Sequence, residues 1–281
     1  MRKFIFFVFF SIGVLSKVYA DSLIVSKKEL STYIQYSQFL LAQGETVVGP
    51  IQLLPVAKVE SVLIKPTDRD VKVSGYMVEP TKENWVENLV GKSISIEGEG
   101  RLVKGTVIAV KDGYITLDTK NGVVITTLPV FPNRLSSSLK WQDLMAPKLT
   151  IKLFSEKPTS SGLNILYPVS GFEWDVIYNA EIQNDKVIFN GFYEVKNNTA
   201  LRLIDVSLFI KDNGKTIKLY DKTVIEPYSS KVINIDKLIL NYSKELKIES
   251  KKYLPDGKVA VYKNSTFIGY GSLIKGVLRL P

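Results

Sequence analysis

The chain has 281 residues, 45% of them hydrophobic and 23% charged, with a formal net charge of +9 and neither cysteine nor histidine. Those two absences exclude disulfide frameworks, thiolate and imidazole metal sites, cysteine nucleophiles and every triad built on a histidine base. The composition still permits a carboxylate pair, a serine–lysine pair or an oxygen-ligated cation, alongside binding and scaffolding.

Arg2 and Lys3 precede Phe4 to Leu15, which is apolar except for Ser11 and Gly13, and Val18-Tyr19-Ala20 offers small-residue spacing for cleavage before Asp21. This predicts a signal peptide over residues 1–20, because the apolar run falls short of the ~20 residues that cross a bilayer. No later stretch approaches that length. The expected mature chain is therefore periplasmic or secreted, with no transmembrane segment after cleavage, and without cysteine it has no lipid-modified terminus. Its stability must come from core burial.

Thr32 to Leu41 alternates too quickly for a helix and is read as a strand ended by Gly44. Short strands are expected at Thr46 to Val48, Ile51 to Leu54, Lys58 to Ile64 and Val71 to Tyr76. A helix follows over 82–90, capped by Thr81, with Trp85, Val86, Leu89 and Val90 as its apolar stripe and Gly91 as its stop. Trp85 is read as a packing anchor. Residues 21–90 thus form an N-terminal β region.

Residues 91–132 read as a meander of four strands, Ser93 to Glu97, Leu102 to Val110, Tyr114 to Asp118 and Val123 to Leu128, resembling a small SH3-like barrel. Its turns are Gly98-Glu99-Gly100, Asp112-Gly113 and Asn121-Gly122. Pro132, Asn133 and the serines 136–138 suggest a linker.

Residues 147–281 read as an antiparallel β-sandwich. Lys148 to Phe154 begins it, and along Phe172 to Ile182 the even positions Phe172, Trp174, Val176, Tyr178, Ala180 and Ile182 make one apolar face. Val187, Phe189, Tyr193 and Val195 match that face on the returning strand, and Asn197-Asn198-Thr199 ends the hairpin. Further strands are expected at Leu201 to Lys211, Thr216 to Tyr220, Lys231 to Ile235, Lys244 to Ile248, Val259 to Tyr262 and Phe267 to Tyr270. Short strands with regular turns predict an all-β fold.

The stretch YPVSGFEWDVIYNAEI, then GFYEVKNNTALRLIDVSL, then LPDGKVAVY and FIGYGSL, resembles the C-terminal domain of mucoidy-inhibitor-like proteins, a bacterial domain of unknown function. Gly91-Lys92 and Pro147-Lys148-Leu149 match the upstream part of that pattern. The resemblance covers nearly the whole mature chain and implies an exported, β-rich envelope protein with no catalytic residue to carry over. The long coiled-coil region of larger relatives is missing from this chain.

Candidate sites are few. Glu173 and Asp175 flank Trp174 two residues apart, about 7 Å along a strand, a spacing compatible with a glycosidase pair but also with any wet strand face. Asp68 and Asp70 in a charged turn offer too few oxygens for a cation, and Glu97 and Glu99 read the same way. The pair Ser26-Lys27 would need a buried lysine to act as a nucleophile–base unit. Trp141, Tyr167, Phe192 and Tyr193 are the aromatics able to stack on sugars if exposed, though core positions are the plainer reading.

Between Lys244 and Pro281 there are eight basic residues against three acidic ones. Lys244, Lys247, Lys251, Lys252 and Lys258 form a possible interaction surface for envelope proteins, an anionic polymer or a lipid surface, a solvated lysine-rich face being the plainer alternative. Export and the lack of a stacking motif argue against nucleic acid. No cofactor is implied.

Two functions follow: a non-catalytic envelope module, or a carbohydrate-active enzyme using a carboxylate pair. An enzyme needs acids converging on a concave site with perturbed proton affinity; a module needs flat or edge surfaces.

Overall fold

The structure, a computed structural model, describes residues 20–281 apart from Lys28, Glu83, Glu99 and Phe131. The predicted signal therefore lies, up to residue 19, outside the described residues, as does Glu99. The chain runs β1 (Ser22–Ser26), β2 (Ser31–Leu41), β3 (Gly44–Gln52), β4 (Leu63–Pro66) and β5 (Val71–Glu79), then β6 (Ser93–Gly98), β7 (Arg101–Lys111), β8 (Tyr114–Thr119), β9 (Gly122–Thr127) and β10 (Arg134–Ser136). A short helix α1 (Trp141–Met145) leads to β11 (Lys148–Ser155), β12 (Thr159–Val169), β13 (Phe172–Gln183), β14 (Lys186–Asn197), β15 (Leu203–Asp212), β16 (Lys215–Ile225) and β17 (Ser229–Asn241). Strands β18 (Glu245–Lys247), β19 (Gly257–Lys263), β20 (Thr266–Ile274) and β21 (Val277–Arg279) complete an all-β molecule.

The body is a sandwich. A seven-stranded sheet, β17-β14-β13-β19-β20-β21-β18, packs against a six-stranded sheet, β16-β15-β1-β2-β12-β4, and a three-stranded sheet, β3-β11-β5, closes one side. All three feed one hydrophobic core, from Leu23 and Val25 to Leu278 and Leu280. Strands of residues 21–79 and of residues 148–212 are thus hydrogen-bonded neighbours, β2 with β12 and β5 with β11, so the two segments separated in sequence share sheets.

Alternation explains the central hairpin. Phe172, Trp174, Tyr178, Ala180 and Ile182 face inward from β13, and Val187, Phe189, Tyr193 and Val195 meet them from β14. The two sheets are also tied by polar groups, since the buried Trp174 indole N–H donates to the Lys211 carbonyl of β15 at 3.1 Å. Buried Ser31 Oγ accepts from the Ser26 N–H and donates to the Phe172 carbonyl.

Three details differ from the sequence expectation. Two pairings are parallel, β1 with β15 and β13 with β19, because the N-terminal strand and β19 each slot beside a strand distant in the chain. The meander β10-β6-β7-β8-β9 is a curled half-barrel with two open edges and its own small core of Val86, Leu89, Ile94, Ile96, Val107, Ile115 and Leu117. The helix expected over 82–90 is a 3-10 segment, Trp85–Leu89, capped by the Asn84 side chain accepting from the Val86 N–H, so Thr81 is not the cap. Such a short segment buries Val86 and Leu89 and leaves Trp85 and Val90 exposed.

Candidate functional site

Each described carboxylate singled out in the sequence already has a partner or lies open to water. Asp175 is paired with Lys27 at 3.0 Å, and its Oδ1 accepts from the Val176 N–H at 2.8 Å. Partial burial pushes this carboxyl up, but the Val176 N–H and the Lys27 ammonium outweigh it and hold Asp175 below the usual carboxylate range. A general acid needs a shift in the opposite direction. Glu173 is exposed on the same outer face. Ser26 is buried, whereas Lys27 reaches out to Asp175 and lies 5.1 Å from the Trp174 ring centroid, so the two do not form a nucleophile–base unit. Asp68 and Asp70 sit in an exposed turn, and among the described residues no three acidic side chains are placed to hold a metal ion.

One concave surface does gather acids. At the end of the sandwich a cleft of about 460 Å³ is lined by Ser26, Lys27, Glu29, Lys211, Asp212 and Asp256, among others. Glu29 pairs with Lys211 at 3.5 Å, Asp212 accepts from the Tyr253 hydroxyl at 2.7 Å, and Asp256 accepts from the Lys275 N–H at 2.7 Å. Burial and the bond to Asp212 push the Tyr253 phenol up, so it stays a donor. Every acid of the cleft is engaged in holding the loops that frame it.

The five lysines of the predicted interaction surface occupy different settings. Lys244 precedes edge strand β18, Lys247 lies in β18 and pairs with Glu249 at 3.2 Å, and Lys251 and Lys252 stand in the exposed loop between β18 and β19. Lys258 belongs to β19, inside the seven-stranded sheet, with its Nζ 3.5 Å from the centroid of the Tyr270 ring. The basic segment is therefore not a tail, because Val259 and Val261 from its middle are fully buried in the core.

Of the aromatics proposed for sugar stacking, Tyr167 and Tyr193 are buried, which removes them. Trp141 is exposed and packs against Trp85, with ring centroids 6.3 Å apart, where the half-barrel joins the body. Phe192 is half-buried on the outer face of the seven-stranded sheet. That same face carries an aromatic cluster the sequence reading missed: Tyr262 meets Phe267 at 5.7 Å, and Phe267 meets Tyr270 at 5.0 Å, both edge-on. Tyr270 is 56% and Phe267 48% exposed. The signal was present as Val259-Ala260-Val261-Tyr262 answered by Phe267 to Tyr270, an alternation whose outward half is aromatic.

The register arranges this face in rows across the strands. One row runs Ile239, Ile188, Glu181, Tyr262 and Phe267. The next runs Lys237, Asn190, Asn179, Ala260 and Tyr270. Among the described residues, neither the Asn179 nor the Asn190 side chain has a hydrogen-bond partner, and Lys258 has no carboxylate partner. Fold and site define an all-β sandwich with an inserted half-barrel and one broad aromatic and amide face that no other described residue covers. No protein-family model, curated protein or solved structure matches this chain.

Proposed function

We propose that this chain is an exported, non-catalytic module of the bacterial cell envelope that binds other envelope components. The observation that carries this reading is the outer face of the seven-stranded sheet, which leaves Ile239, Phe267 and Tyr270 exposed around half-buried Ile188, Phe192 and Tyr262. Exposed and half-buried apolar groups on one sheet face, interspersed with the amides of Asn179 and Asn190 and bordered by Lys237 and Lys258, have the make-up of a contact surface. The signal-like residues 1–20 support export, and the resemblance to the C-terminal domain of mucoidy-inhibitor-like proteins points to the same compartment. Against a carboxylate-pair enzyme stands that Asp175, held ionised beside Lys27, is not its general acid, while Glu173 is exposed to water rather than set in the apolar pocket that role requires.

The test is capture of partners from an envelope fraction by the chain and by two sets of point variants. Removing residues 244–281 is unsuitable because it deletes β19 from the sheet interior. One set changes the face, Tyr270→Ser with Ile239→Ser; the other changes the loop, Lys251→Gln with Lys252→Gln. The expected result is loss of partners with the face variant and retention with the loop variant. The reverse pattern would move the contact to the lysines, and no captured component from any envelope fraction would sink the proposal.

A further inference from the structure

We infer that the outer face of the seven-stranded sheet is a track for a linear acidic polysaccharide, laid across the strands along Lys237, Asn190, Asn179, Ala260 and Tyr270. This deepens the binding-module reading and rests on it. The row crosses five hydrogen-bonded strands, β17, β14, β13, β19 and β20, and so spans ~19 Å at the usual strand spacing.

The chemistry of the row selects the ligand. At its centre Asn179 and Asn190 are directly opposed across β13 and β14, half-buried, and without any side-chain hydrogen bond among the described residues. Two open amides present both donors and acceptors, which suits vicinal hydroxyls. Ala260 beside them is small and leaves room for a ring to lie flat. Tyr270 closes the row with an exposed ring, and Tyr262 and Phe267 in the adjacent row extend the apolar ground that the C–H faces of sugars contact.

Charge sets the kind of polysaccharide. Lys258 stands over the Tyr270 ring, and neither it nor Lys237 is neutralised by a carboxylate among the described residues. Among the other cations of this sheet, Lys196 is paired with Glu194 at 3.2 Å, Arg279 with Glu245 at 3.1 Å, and Lys186 donates to the Asn241 amide oxygen at 2.6 Å. Glu181 is the acid within the first row, and it accepts from Ser265 at 3.5 Å at the hairpin tip. Two free ammonium groups flanking neutral amides and rings match a chain that carries carboxylates on some of its sugars.

The experiment is affinity electrophoresis of the purified chain through gels holding polygalacturonate, neutral dextran or polyglutamate, with anionic vesicles in a parallel flotation assay. Retardation by polygalacturonate alone is expected. Tyr270→Ala should weaken it about five- to tenfold while Tyr270→Phe retains it, the size of one lost ring contact. Asn179→Leu with Asn190→Leu should abolish retardation, and Lys258→Gln should flatten its salt dependence; Lys247→Gln on β18 should leave it unchanged. Circular dichroism and urea midpoints confirm that each variant folds, and competition by soluble oligogalacturonate on the unmodified chain reads the same contact without any substitution. Equal retardation by polyglutamate, or flotation with vesicles that Tyr270→Ala does not alter, would show attraction by charge alone and overturn the track. Failure to bind polygalacturonate while envelope partners are still captured would also overturn it and leave the module reading standing. Polysaccharide binding with no captured protein partner would support the track.

Discussion

Asn197 and Thr199 form a closed polar knot in the core, the Asn197 Oδ1 accepting from the Thr199 N–H at 3.0 Å and from the Thr199 hydroxyl at 2.7 Å. The same Asn197 amide donates to the carbonyls of Leu201 at 2.7 Å and Glu226 at 2.8 Å, so one fully buried side chain fixes the turn after β14 and pins it to the end of β16. Replacing it with alanine strands buried donors and acceptors, each worth about 1–3 kcal/mol. Asn197→Ala should therefore lower unfolding free energy by about 3 kcal/mol or more in urea titrations. Thr199→Val should cost about 1–2 kcal/mol, and the double variant less than the sum of the two, because both remove the same bonds. Additive losses would mean that the knot does not act as a unit.

Gly171 faces this knot from the start of β13. Its φ of 82° lies in the left-handed region, and an added Cβ would run into the Thr199 methyl group. Gly171→Ala should destabilise by more than the ~1 kcal/mol of the backbone strain alone, and adding Thr199→Ser should recover part of the loss. No recovery would place the whole penalty in the backbone.

The half-barrel enters and leaves the body at one place. The chain departs at Glu79, returns at Lys148, and these two residues are register partners in β5 and β11. The half-barrel has its own core, and the described contacts at the neck include Trp85 against Trp141 and the Asn88 amide against the Met145 sulfur at 3.5 Å. At the same neck, burial and the neighbouring Lys148 pull Lys92 below the usual lysine range. Replacing residues 81–146 with a short Gly-Ser turn should leave a folded sandwich with the urea slope of a smaller protein and a single transition. An unfolded product would show that the body needs the half-barrel to close β5 on β11.

How much of this could be read from sequence depended on how local the cause was. The β13–β14 hairpin is legible because period-2 alternation and the turn after Gln183 act within one stretch of chain, and the Asp112-Gly113 and Asn213-Gly214 turns carry their positive φ on the page. β12 was not legible. It opens with Thr159-Ser160-Ser161-Gly162, which reads as a loop, yet Gly162 is there because the Tyr36 ring of β2 packs where a Cβ would sit. β1 and the parallel place of β19 depend on partners far along the chain, which no window reveals. At the candidate face, Phe192 was visible as an aromatic, but the row of Asn179, Asn190 and Tyr270 exists only once register joins strands that are separate in sequence.

Buried tyrosines set the alkaline limit of the fold. Burial, above all, pushes the phenols of Tyr33, Tyr167 and Tyr178 far above their usual value, and Tyr193 up to about 12. Tyr178 and Tyr193 donate to the carbonyls of Pro255 and Tyr253, bonds that only the protonated form can make. A folded-state value raised above the unfolded value of ~10 means that the unfolded chain releases the proton first, so this contribution is fully present below about pH 10 and is lost as pH rises beyond it. With no histidine or cysteine in the chain, no side chain has its ordinary titration between about pH 6 and 8, and stability should be nearly flat there. Urea midpoints measured across pH should thus hold steady through neutrality and fall above about pH 10. Tyrosinate absorbance should rise in two waves, the exposed phenols first and the buried ones together with loss of the near-ultraviolet signal of Trp174. A single reversible wave near pH 10 with that signal retained would show that these phenols are not sealed in the core.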